Sequence, residues 1–118
     1  MKSYTDIDQS KKLAKVLQIE TADMCYYIWK DDGHLMSLVP FVLDGTEEKE
    51  NGMFEYIPCW SFTALFKLLP KSAQLEKGNV TELYRVILPV ELETSDWYID
   101  PVDACVVMIE RLYELNLL

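Results

Sequence analysis

The segment WSFTALFKLLP, Trp60 to Pro70, decides how this chain can fold. Ser61 is a helix-capping residue, and Phe62, Leu65, Phe66 and Leu69 recur at i, i+3, i+4 and i+7, which puts four large apolar side chains on one helical face. Pro70 lacks an amide hydrogen and stops the helix. Burying each of those side chains contributes about 1.5–3 kcal/mol, whereas fixing the backbone costs about 1–2 kcal/mol per residue. So short a helix does not stand alone, and the spacing predicts that it lies on a sheet.

The residues before it supply the strands. Cys25 to Lys30 are aromatic or β-branched almost without interruption, and Asp32-Gly33 follows, a dipeptide that tolerates the positive φ of tight hairpin turns. Leu35 to Leu43 reads as a second strand. Pro40 cannot donate to a ladder, which assigns that strand to an edge or a bulge. Asp44 to Gly52 carries no apolar residue and reads as a mobile loop, and Met53 to Ile57 as a short strand leading through Pro58 to the central helix. Further upstream, Thr5 offers an N-cap with Asp6 and Asp8 in the first turn, and Ile7, Leu13, Ala14, Val16 and Leu17 make the apolar side of a helix over residues 6–17.

Downstream of Pro70, residues 71–79 are polar and loop-like. Tyr84, Val86, Leu88, Val90 and Leu92 then alternate with Arg85, Ile87, Pro89, Glu91 and Glu93, the pattern of one long strand with a dry face and a wet one. Trp97 to Ile99 is a further short strand. Asp100 and Pro101 open the last helix as N-cap and first helical residue, and Cys105, Met108, Ile109, Leu112 and Leu115 form its apolar stripe toward the C-terminus. The fold class that follows is α+β in two layers: an antiparallel sheet of about four or five strands with two or three helices packed on one face. With 118 residues, half of them apolar, the chain fits a single globular domain over 1–118.

Charge and composition exclude several functions. Twenty acidic residues against eleven basic ones give a net charge of -9, which repels nucleic-acid phosphates and anionic lipid headgroups, so direct DNA or RNA binding is disfavoured. Cys25, Cys59 and Cys105 are odd in number, widely spaced and flanked by apolar residues, as expected of buried thiols in a reducing compartment. No apolar stretch approaches the roughly 20 residues that cross a bilayer, nor does a secretory leader follow Met1. A cytoplasmic protein without a membrane anchor is expected.

No catalytic set stands out. His34 is the only histidine and reads as a solvated turn residue beside Asp31 and Asp32. Three scattered cysteines and one distant histidine do not make a zinc site, and no cofactor is implied. Cys59, near the start of the central helix, reads as a packed thiol, and Ser61 as a cap. Glu91 and Glu93 share a side of the long strand and read as a solvated pair. The four glycines are too far apart for a phosphate loop. What exceeds the needs of a small core is the aromatic content of the strands. Tyr26, Tyr27, Trp29, Phe41, Phe54, Tyr56 and Trp60 lie on the three strands before the central helix or at its start, and alternation forces some of them onto the outer face. Exposed Tyr and Trp are enriched at protein contacts, and Tyr26, Tyr27, Trp29, Phe54 and Tyr56 are the candidate interaction surface.

Three blocks of the sequence carry a resemblance. They are Tyr4-Thr5-x-Ile7-x-Gln9-Ser10-Lys11-Lys12-Leu13 with Ala22-Asp23-Met24; Ile57-Pro58-Cys59-Trp60-Ser61 with Ala64-Leu65 and Leu68-Leu69-Pro70; and Asp103-Ala104-Cys105 with Met108-Ile109 and Leu112. In these the chain resembles a group of small proteins from phages and conjugative elements of Bacteroides-like bacteria. The resemblance implies a setting, a bacterial cytoplasm and a mobile element, and brings no activity, cofactor or catalytic residue with it. Three functional readings follow. The first is a non-enzymatic accessory protein that binds another protein; the second is an acidic decoy that mimics DNA and inhibits a restriction or nuclease enzyme; the third is a small enzyme using a carboxylate or thiol. Long apolar strands with little edge protection also make a homodimer an open alternative.

Overall fold

The aromatic run after Ala22 becomes the centre of a small sheet. In the computed structural model, which describes residues 2–49 and 51–118, β1 (Met24–Trp29) pairs antiparallel with β2 (Phe41–Val42) on one side and β3 (Phe54–Cys59) on the other. Gly33, at φ +74°, turns the chain beyond β1, and Ile28 then bridges Leu35. The expected second strand survives only as that bridge and as β2. Its register slips between Met36, whose N–H reaches the Tyr27 carbonyl, and Phe41, opposite Cys25, so residues around Pro40 bulge out of the ladder as a missing donor demands. Residues 44–49 and 51–52 hold no helix or strand; Glu50, also within the expected loop, lies outside the described residues. The loop is stitched to itself, with Glu47 accepting from the Asp44 and Gly45 N–H groups and Asp44 from Thr46.

Two differences from expectation reshape the fold. The strands form two three-stranded sheets instead of one sheet of four or five, the second being β4 (Gln74–Lys77), β5 (Tyr84–Leu88) and β6 (Glu93–Thr94) in that order. β4 falls in a stretch read as loop: it is exposed, and backbone pairing to β5 rather than side-chain patterning defines it. The long strand read over Tyr84 to Glu93 breaks at Leu88, because Pro89 cannot donate and Leu92 adopts φ +59°, folding the segment into a hairpin. Val90 and Leu92, assigned to the dry face, are therefore exposed at the turn. Trp97 to Ile99 contributes one bridge, Tyr84 to Tyr98, and no strand.

The helices sit between and against these sheets. α1 (Ile7–Leu13) is shorter than expected and starts one residue later, with Asp6 as N-cap in a capping box with Gln9. Desolvation opposes ionisation of Asp6, but the Gln9 N–H and the Lys2 ammonium outweigh it and hold the carboxylate below its ordinary range. A depressed pKa stabilises the fold above pH 3.8 and loses that contribution as pH falls through the folded value. Asp6→Ala should cost about 1 kcal/mol at neutral pH and much less in acid, read as denaturation midpoints at both. An unchanged midpoint at neutral pH would remove the cap.

α2 (Phe62–Leu68) is capped by Ser61, whose Oγ accepts the Ala64 N–H, but its buried residues are Ala64 and Leu65, followed by Leu69. Phe62 and Phe66 stack at its margin with centroids 5.5 Å apart. The helix packs on α3 (Pro101–Glu114), not on a sheet as its spacing suggested, and α3 packs on β5. Cys105, Met108, Ile109 and Leu112 are fully buried as the stripe requires, while Leu115 is half-exposed. The helix ends before the C-terminus: Asn116, at φ +57°, directs the Leu117 N–H to the Leu112 carbonyl and its own to Tyr113.

Two apolar cores result. The larger joins Leu13, Trp60 and Leu65 to β5 and α3, and the smaller joins Tyr26, Ile28, Ile57 and Cys59 to Ile7 of α1. Accordingly the chain is elongated, 46 × 31 × 23 Å, with a radius of gyration of 15.3 Å. A compact chain of this length would have about 13.5 Å. Thr5 and Trp60 stand where the cores meet. Thr5 Oγ1 accepts the Trp60 N–H at 3.1 Å and lies 2.8 Å from Ser10 Oγ, and the Thr5 carbonyl accepts the Tyr26 hydroxyl at 2.8 Å.

Candidate interaction surface

Alternation along β1 divides the five candidate aromatics. Tyr26 points toward α1, is 4% exposed and spends its hydroxyl on Thr5, so it belongs to the core and not to a surface. Tyr27 and Trp29 point to the opposite, outer face, across from Tyr56 and Phe54 on β3. There the rings form a row: Trp29 to Phe54 at 6.4 Å, Phe54 to Tyr27 at 4.7 Å, and Tyr27 to Phe41 at 5.5 Å, mostly edge to face. Tyr56 flanks Tyr27 at 6.0 Å but is itself buried. The surface therefore consists of Tyr27, Trp29 and Phe54, all half-buried, and of Phe41, which is 42% exposed. Phe41, one of the strand aromatics, is placed in the row by its register with Cys25, a long-range pairing that local patterning does not reveal. The bulge before it leaves Leu38 and Val39 exposed next to the row in the chain, and Met53 is exposed beside Phe54.

The same face is chemically quiet. Burial, and then the neighbouring Cys25 thiol, push Tyr27 up to about 12; burial, and then the Cys25 charge, do the same for Tyr56. Tyrosines raised in the folded state add stability that is complete below their ordinary value of 10.0 and lost as pH rises through about 12. These two side chains should therefore make the denaturation midpoint fall more steeply between pH 10 and 12 in the wild type than in a Tyr27→Phe, Tyr56→Phe variant, which has no phenol there to ionise. Parallel falls in the two proteins would contradict the packing of this row.

The remaining chemical candidates do not converge. His34 is exposed in the turn after β1, with Nδ1 3.5 Å from Asp32. Cys59 is fully buried opposite Met24, at the other end of β1, so about 16 Å of strand separates the two. Burial raises the thiols of Cys25, Cys59 and Cys105, the last to about 12, which disfavours the reactive thiolate. The turn at Leu92 separates Glu91 from Glu93: the first accepts from Ser72 at 3.3 Å, and the second pairs with Arg111 at 3.4 Å. Among the described residues no three His, Cys, Asp or Glu side chains are placed to hold a metal ion, and no helix is long and apolar enough to cross a membrane.

Fold and surface together define an α+β protein of two small antiparallel sheets, carrying a partly exposed aromatic row on the first. Compared with family models, with curated proteins and with solved structures, the chain finds no match.

Proposed function

We propose that this chain is a non-enzymatic accessory protein that binds another protein through the outer face of its first sheet. The observation that carries this reading is the row Trp29, Phe54, Tyr27 and Phe41, rigid aromatics in mutual contact yet still open to solvent, with exposed Leu38, Val39 and Met53 next to them in sequence. Aromatic anchors surrounded by lesser apolar contacts are how protein interfaces concentrate their energy. The dispersal of His34, Cys59, Glu91 and Glu93 favours a binding role over a carboxylate or thiol enzyme. Ion pairs of Lys2 with Asp6 and Asp103, of Arg85 with Glu76 and of Arg111 with Glu93 break up the acidic surface and favour it over a DNA-mimicking decoy. A bacterial cytoplasm and a mobile element as its origin belong to the same proposal and rest on the three sequence blocks described above.

Affinity capture from bacterial lysate tests it. The wild-type chain should retain a discrete partner, and the double variant Trp29→Ala, Phe41→Ser, with an unchanged circular dichroism spectrum, should recover it at least about tenfold less well. Equal recovery by both would refute the surface. A symmetric dimer that the double variant disrupts would instead make a second copy the partner.

A further inference from the structure

Two hollows meet beside the first turn of α2. The larger, about 750 Å3, is walled by Met24, Val42 and Phe62; the smaller, about 340 Å3, extends past Lys67 to Leu68 and also carries Glu20, so two carboxylates face one ammonium there; both share Asp23 and Thr63. Asp23 stands at the junction. Its Oδ1 accepts the Ser61 N–H at 2.8 Å and its Oδ2 the Ser61 hydroxyl at 2.5 Å, so its orientation is fixed while lone pairs on both oxygens remain free. No cation within the chain pairs with it among the described residues. Beside it Val42 is 75% exposed, an apolar wall with nothing on it.

We propose that this channel binds an extended segment of a partner protein in which arginine or lysine is flanked by apolar residues. The cation pairs with the held carboxylate of Asp23, and the apolar neighbours cover Val42 and Phe62. Charge selects this occupant over a second copy of the chain, because two bodies of charge -9 repel and a basic segment is drawn in. Arginine suits the site better than lysine, since its planar fork can meet both carboxylate oxygens. The inference rests on reading the chain as a protein-binding module, yet it concerns a separate place: Val42 lies opposite Met24 and Phe41 opposite Cys25, so the two residues point to opposite faces of the sheet.

The test uses the full chain and an end-blocked synthetic peptide alternating arginine and leucine, followed by amide chemical shifts. The peptide should bind saturably, with shifts concentrated at Asp23, Val42 and Phe62, and its counterpart with glutamate for arginine should not bind. Asp23→Asn should weaken binding about tenfold, the scale of a charge-assisted hydrogen bond. Val42→Lys, at an exposed position that tolerates the change, should weaken it similarly. Glu114→Gln, which removes one negative charge from the exposed end of α3, should leave affinity within about twofold, as expected of a surface charge away from the contact. Absence of binding, shifts spread over the surface, or equal weakening by Glu114→Gln and Asp23→Asn would overturn the proposal. Should Asp23→Asn be silent while the aromatic double variant loses its captured partner, the channel falls and the aromatic interface stands.

Discussion

Trp60→Ala should destabilise the folded chain by about 3–5 kcal/mol, the cost of emptying a large, fully packed site. Trp60 is wholly buried, contacts the core built by α2, α3 and β5, and donates its Nε1–H to Thr21 Oγ1 at 2.9 Å. Its backbone meanwhile accepts from Thr5 and donates to the Thr5 hydroxyl, so one residue ties the N-terminal segment and the first sheet to the helical layer. For a chain of this size the loss is a large share of a typical folding free energy, about 6–18 kcal/mol. Trp60→Phe, which keeps most of the volume and gives up the indole hydrogen bond, should cost markedly less. Urea denaturation of the three proteins measures it; a Trp60→Ala variant within about 0.5 kcal/mol of wild type, the range of surface substitutions, would show that the site is not the junction claimed.

Thr5→Val should cost about 1–3 kcal/mol although it preserves shape, because it leaves the buried Trp60 N–H without its acceptor and takes away the closest partner of the Ser10 hydroxyl. Thr5 and Ser10 are both completely buried, so water does not replace what is lost. Thr5→Ser retains the oxygen and should recover most of the stability. That ordering, serine above valine, distinguishes a polar junction from simple packing. The reverse order in urea midpoints would mean that the methyl group and not the hydroxyl holds the two cores together.

Local punctuation made much of this fold legible. Pro101 is the first residue of α3 and Asp100 takes the N-cap position, although its carboxylate accepts the Lys2 N–H and makes no hydrogen bond to the helix; the stripe from Cys105 to Leu112 is buried as its period demands. Ser61 caps α2 and Asp32-Gly33 turns the chain after β1, both through residue-specific backbone chemistry. What escaped is non-local. Thr5 looks like a helix cap because hydroxyls usually are; its role as a buried hub depends on Cys59 and Trp60, more than fifty positions away. Two sheets form, and α2 packs on α3, an arrangement that no period within either helix encodes. β4 has no alternating pattern to detect, and the turn at Leu92 requires a left-handed backbone at a residue that rarely adopts one.

The interaction surface was legible as a composition and not as a geometry. Alternation already implied that Tyr26 and Tyr27 part company, but which of them met α1 could be decided only once the buried side of the sheet was known. Asp23 carries no local signal at all, because its clamp comes from Ser61, thirty-eight residues further on.

Oxidative footprinting of the aromatic side chains, on the isolated chain and on the chain in complex with its captured partner, tests the central claim most directly. The isolated chain should be modified at Trp29 and Phe41 and spared at Trp60; in the complex Trp29 and Phe41 should become protected while Trp60 stays silent. Modification of Trp60 in the isolated chain, or Trp29 and Phe41 as reactive in the complex as out of it, would contradict the account.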